Sequence, residues 1–210
     1  MFGAFVLTLI VTDTGAFLIS PFDHGRVVQT LTVNNGGKWG DWGSAVFCPP
    51  GSYAAGYDMK IEPYQGGWVD DTAMNGIKLY CETSEGHLTT TITSGVGPWG
   101  NWIGRASCNH PSGSQFYLTA FDLQVEPPQG GFIDDSTANF VQFKCRDKGG
   151  EFSSYILAKD PGHGKYGSYG GWSAECVDGT AICGLATKVE GRQHGGDDSA
   201  LNSVIFYCCK

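Results

Sequence analysis

The chain has 210 residues, with 21 acidic against 13 basic side chains and a net charge of −8. That balance argues against a nucleic-acid partner, whose phosphates need clustered Lys and Arg. Only 16% of residues are charged and 32 are Gly, which disfavours coiled coils, helical bundles and solvated disorder; 13% aromatics beside so much glycine predict short strands joined by tight turns.

In chain order, the apolar run Ala4–Val11 and a second patch over Gly15–Ile19 come first. Together they are too short and interrupted to span a bilayer, and no membrane insertion is expected. They read as a secretory signal over residues 1–20, leaving 21–210 as a single domain. No Lys or Arg precedes the run, so a buried first strand is the alternative reading. Eight cysteines in a small exported chain point to disulfides. There is no CxxC pair and the five His residues are scattered, so neither a metal nor another cofactor is expected.

Beyond the signal the chain repeats itself about every sixty residues. A short strand, Thr30–Val33, opens the first unit. It is followed by Trp39-Gly-Asp-Trp42, Cys48, the run Tyr57–Glu62, the pair Asp70–Asp71, Asn75, and Ile77–Cys81. The second unit has Thr89–Thr93, Trp99-Gly-Asn-Trp102, Cys108, Phe121–Glu126, Asp134–Asp135, Asn139 and Val141–Cys145. The third has Tyr155–Ala158, Tyr166-Gly-Ser-Tyr169, Cys176, Leu185–Glu190, Asp197–Asp198, Asn202 and Val204–Cys208.

Each unit reads as β. Tyr57, Met59 and Ile61 alternate with Asp58, Lys60 and Glu62, the period-2 pattern of a half-buried strand, and Phe121, Leu123 and Val125 repeat it. One amphipathic sheet cannot hide its apolar face alone, whereas three can if those faces meet on a common axis. The predicted division is 26–83, 84–147 and 148–210, three sheets around one core. Equivalence of the units suggests disulfides Cys48–Cys81, Cys108–Cys145 and Cys176–Cys208. Cys183–Cys209 then remains, because adjacent strand residues such as Cys208 and Cys209 face opposite ways.

The combination of Asn35–Trp42, the Ile61–Cys81 unit and the closing Cys183–Cys209 segment resembles the vitelline membrane outer layer protein I family over residues 28–210. The resemblance implies a type I β-prism, three antiparallel Greek-key sheets on a pseudo-threefold axis. It also implies residence in the outer layer of the egg's vitelline membrane or in secretions, and an association with lysozyme-like transglycosylation of chito-oligosaccharides. Two departures stand out: Tyr166-Gly-Ser-Tyr169 replaces the Trp motif, and residues 146–165 form a longer connection. Identical binding by all three units is therefore not implied.

Candidate binding residues follow from the repeat. Asp70, Asp71, Asp134, Asp135, Asp197 and Asp198 would gather near one end of a threefold prism. There they would grip sugar hydroxyls or, at a suitable separation, act as acid and nucleophile. The simpler reading makes them caps of Asx turns, closed by Asn75, Asn139 and Asn202 in αL geometry. Glu62, Glu126 and Glu190 end their strands and read as outward and solvated. Trp39, Trp42, Trp99 and Trp102 would stack on sugar rings, against a packing role as the alternative. Two GxGxxG matches, Gly95–Gly100 and Gly162–Gly167, are dismissed: 32 glycines predict about one by chance, and neither opens a helix. No catalytic residue can be named. The expected function is a secreted, disulfide-rich, non-enzymatic coat component whose partners are coat glycoproteins or oligosaccharides. A weak glycosyl transferase acting on N-acetylglucosamine oligosaccharides is the alternative.

Overall fold

The computed structural model describes residues 25–63, 73–109, 113–127, 137–191 and 200–210. The proposed signal over 1–20 and all six paired Asp residues lie outside these. Every regular element described is a strand. In chain order they are β1 (Val27–Leu31), β2 (Asp41–Trp42), β3 (Val46–Phe47), β4 (Tyr53–Ile61), β5 (Met74–Glu82), β6 (Leu88–Thr93) and β7 (Asn101–Trp102). There follow β8 (Ala106–Ser107), β9 (Phe116–Val125), β10 (Ala138–Asp147), β11 (Tyr155–Leu157), β12 (Ser168–Tyr169), β13 (Ala181–Val189) and β14 (Leu201–Cys209).

These strands form three antiparallel sheets, the three walls of a β-prism. The first runs β1–β14–β13–β2 with β3 also on β13, the second β6–β5–β4–β7 with β8 also on β4, and the third β11–β10–β9–β12. The sheets are offset from the units read along the chain. The two-residue strands that follow Trp39, Trp99 and Tyr166 each pair with the long hairpin of the preceding unit, and β1 completes the sheet that holds the C-terminal strand.

The inward face of each long hairpin supplies the core. Tyr57, Phe121, Phe143 and Phe206 are fully buried, with ring centroids 4.6 Å apart for Tyr57–Phe143, 4.8 Å for Phe121–Phe206 and 5.2 Å for Phe143–Phe206. One sheet contributes Tyr57, another both Phe121 and Phe143, the last Phe206, so their apolar area leaves water only when all three close.

The outward face is also covered, and here the structure departs from the half-buried pattern. Asp58, Asp122 and Gln124 are buried, and so is Glu126, which the alternation had placed in solvent. The segments after β7 and β12 cross this face and cover it with long side chains. Lys78 lies 3.9 Å from the Trp102 ring centroid, Arg105 sits over Tyr80 and pairs with Glu82, and Arg146 reaches Glu175 at 3.5 Å and Asp178 at 3.3 Å. Two short strands and a few amphipathic stems suffice to dry the second face.

Four disulfides are formed, and three of them join different sheets. Near its start each long central strand breaks register by one residue, at Ala55, Thr119 and Cys183. A bulged residue has a carbonyl to spare. Those carbonyls accept the N–H of Cys108, Cys176 and Cys48 at 2.8, 2.8 and 2.7 Å. The sulfurs of the same three cysteines then bond Cys145, Cys208 and Cys81 on the next sheet round. A hydrogen bond to one wall and a disulfide to the next thus recur at all three corners.

Candidate functional site

The aromatic motifs sit where β4–β5, β9–β10 and β13–β14 connect, at equivalent ends of the three sheets. Each motif loop is held by three devices. The first is a glycine with positive φ: Gly40 (+79°), Gly100 (+71°) and Gly167 (+77°). A Cβ at these positions would lie 2.2 to 2.4 Å from the nearest backbone atom at the end of the facing central strand, so only glycine lets the loop lie flat there.

The second device is a buried asparagine. The Oδ1 atoms of Asn75, Asn139 and Asn202 accept the N–H of Trp99, Tyr166 and Trp39, each at 3.2 Å. The residues in left-handed geometry are the ones two positions earlier, Ala73 (φ 39°), Thr137 (45°) and Ala200 (43°), not the asparagines, which lie in extended strand. An asparagine amide can satisfy a loop N–H at a distance, and that is what the repeated Asn supplies.

The third device is a long polar side chain from the central strand. Lys60 Nζ donates to Gly97 O at 2.8 Å, Lys188 Nζ donates to Lys38 O, and Gln124 Nε2 donates to Gly164 O and Tyr166 O at 3.3 and 2.7 Å. In the repeat, this position alternates outward and is long and hydrogen-bonding in every unit, a signal that pointed to it only in retrospect.

Held this way, the aromatic rings differ in exposure. Trp39 presents 62% of its surface, Tyr166 is at the margin of exposure, and Trp42, Trp99 and Trp102 are half-buried. None of the four predicted tryptophans is fully buried, but Trp42 packs against the core cluster around Tyr53, Tyr117 and Tyr207. The aromatics that fill it are Phe and Tyr, which fit between two facing sheets. Trp102 is half-covered by Lys78, and Trp172 lies beneath Lys144 at 5.3 Å.

Burial pushes the Asp122 carboxyl up, although Gly171 N–H donates to it at 3.0 Å and Gln142 also bonds it. Burial likewise pushes Tyr57 up to about 12, opposed by the Lys159 N–H at 2.8 Å. Among the described residues no group of three or more His, Cys, Asp or Glu is placed to hold a metal ion. The described part of the arrangement is a set of pinned loops that display flat rings.

These features define a disulfide-closed β-prism with aromatic loops clamped at one end. The chain belongs to the vitelline membrane outer layer protein I family, whose family model matches residues 29–210. It is 37% identical over 207 residues to the human vitelline membrane outer layer protein 1 homolog, covering 97% of this chain and 94% of that protein. It is 40% identical over 210 residues to the mouse homolog, covering 99% and 96%. Similar solved structures include a mannose-specific jacalin-related lectin from Morus nigra in complex with mannose, with TM-score 0.43, 12% identity, and coverage of 87% of this chain and 93% of that one. Frutapin, a lectin from Artocarpus incisa, gives TM-score 0.46, 8% identity, and coverage of 88% and 96%. At such values no ligand or residue is carried over.

Proposed function

We propose that this chain is a secreted, non-enzymatic structural component of an extracellular coat or secretion, and that its clamped aromatic loops hold carbohydrate. The observation that carries the structural half is the closed ring of three inter-sheet disulfides, with no free cysteine. Such bonds persist only in an oxidising compartment, which favours export through a signal over residues 1–20. Each would contribute about 3–4 kcal/mol in the chain-entropy view, a large share of the stability of one domain. A net charge of −8 suits basic or glycosylated neighbours.

The carbohydrate half rests on the exposed indole of Trp39, a flat apolar face pre-set by its Gly40 and Asn202 anchors. Asp70, Asp71, Asp134, Asp135, Asp197 and Asp198 precede Ala73, Thr137 and Ala200 by a few residues, and they are proposed as acceptors for sugar hydroxyls beside Trp39, Trp42, Trp99 and Trp102. The test is a titration of the oxidised, secreted protein with chito-oligosaccharides, read by tryptophan fluorescence and by chromatography of the sugar. Saturable quenching that disappears in Trp39→Ala is expected, with the oligosaccharide unchanged in length. No saturation at millimolar sugar would remove the carbohydrate half; redistribution of chain lengths would replace binding with glycosyl transfer.

A further inference from the structure

The connection at 146–165 is longer than its counterpart in the second unit, and it builds one wall of a cleft. The cleft holds about 390 Å³, at the small end of the range for small-molecule sites. Its opposite wall is the end of β4 and the start of β5, with Ile61, Pro63 and Ala73. Ile103 and Phe140 continue the lining, and most of the exposed lining atoms are apolar.

The connection is anchored at four points. Lys159 N–H donates to the buried Tyr57 hydroxyl at 2.8 Å, Tyr169 Oη donates to Gly162 O at 2.7 Å, Gly164 N–H donates to Gln124 Oε1 at 2.7 Å, and Tyr166 N–H donates to Asn139 Oδ1 at 3.2 Å. A wall pinned this way is present before any ligand arrives, which lowers the ordering cost of binding. Lys159 lines the cleft half-buried, its Nζ reaching over Gly104, and makes no ion pair among the described residues, although Glu62, Asp160, Lys165 and His163 also line the cleft. An unpaired ammonium beside apolar surface is a seat for an anion, because a charge-assisted contact there is little screened.

We propose that this cleft binds a small anionic amphiphile, an aromatic sulfonate or medium-chain carboxylate, with its apolar body on Ile61, Ile103, Phe140 and Tyr166 and its head on Lys159. The pairing of an apolar floor with the Lys159 ammonium distinguishes this ligand from a sugar, which would leave the floor in water and the ammonium unused. The cleft borders Tyr166 of one aromatic loop but not Trp39, so loss of probe binding and loss of the Trp39 quench are separate readouts.

The test uses the full oxidised protein with anilinonaphthalene sulfonate as fluorescent probe and dodecanoate, dodecanol and chitotriose as competitors. The expected result is saturable probe binding in the native state, displaced by dodecanoate and unaffected by chitotriose. Lys159→Met should weaken dodecanoate about tenfold while leaving dodecanol unchanged. Ile103→Asn, at a partly exposed rim position, should weaken both. Melting curves for each variant confirm that the fold is retained. No saturable binding by the folded wild type, or equal dodecanoate affinity in wild type and Lys159→Met, would overturn the proposal.

Discussion

Replacing Gly100 with alanine tests whether the aromatic loops are held by close backbone approach or merely by permissive dihedrals. The added Cβ would stand 2.3 Å from the carbonyl carbon and oxygen of Ile61 and 2.4 Å from the nitrogen of Glu62. Those atoms belong to β4 and the residue after it, so relief requires movement of a sheet rather than of a side chain. The positive φ of +71° adds about 1–2 kcal/mol for any residue with a Cβ. Overpacking against fixed backbone adds about 1–3 kcal/mol. The sum is about 2–5 kcal/mol, or a drop of roughly 5–15 °C in melting temperature for a domain of this size.

Gly51 is the internal control: its φ is +79°, yet a Cβ there meets nothing within 4 Å. Gly51→Ala should therefore lose only the dihedral part, roughly 3–6 °C. Gly191→Ala, with ordinary φ and open space, should leave the midpoint unchanged or slightly raised. The assay is thermal unfolding by circular dichroism with disulfides intact. If Gly100→Ala melts together with Gly51→Ala, the close-approach argument is wrong.

Three further outcomes are expected. Asn202→Ala strips a buried acceptor from the Trp39 N–H and should cost about 2–3 kcal/mol, with a shift in tryptophan emission that Asn75→Ala reproduces through Trp99; an unchanged spectrum in both would refute the clamp. Cys176→Ser with Cys208→Ser opens one corner of the ring and should lower stability by about 3–4 kcal/mol in denaturant titration, and a loss below about 1 kcal/mol would show that closure is not what holds the sheets. Burial pushes Tyr57, Tyr117 and Tyr207 up to about 12 from an ordinary value of 10. Since the unfolded chain releases these protons first, the associated stability is complete below pH 10 and is lost as pH rises from 10 to 12. Tyrosinate absorbance and circular dichroism should then change together in that window, whereas ionisation well before unfolding would contradict the burial.

The chain alone determined the long strands and which of their residues face a common interior, though not the two-residue strands, which read as turns. Tyr57, Met59, Phe121, Leu123 and Leu185 stand two apart because a pleated strand sends alternate side chains to one side, and no tertiary knowledge is needed to see it. The repeat also picked out the columns that became clamps, the Gly of each aromatic motif and Asn75, Asn139 and Asn202, though not their work. An asparagine before a strand reads equally well as a turn residue or as a buried acceptor, and only the position of the Trp99, Tyr166 and Trp39 N–H groups separates the two.

Tertiary structure alone decided which sheet each short strand joins. Backbone N–H and C=O groups are chemically alike along the chain, so Asp41–Trp42 carries no mark that assigns it to β13 rather than to its own unit. Closure of three sheets on one axis makes that choice, placing β1 beside β14 so that the first and last described strands share a wall. The same closure buried Asp58 and Asp122 beneath crossing segments, and so turned a face that alternation marks as polar into a second, covered interior.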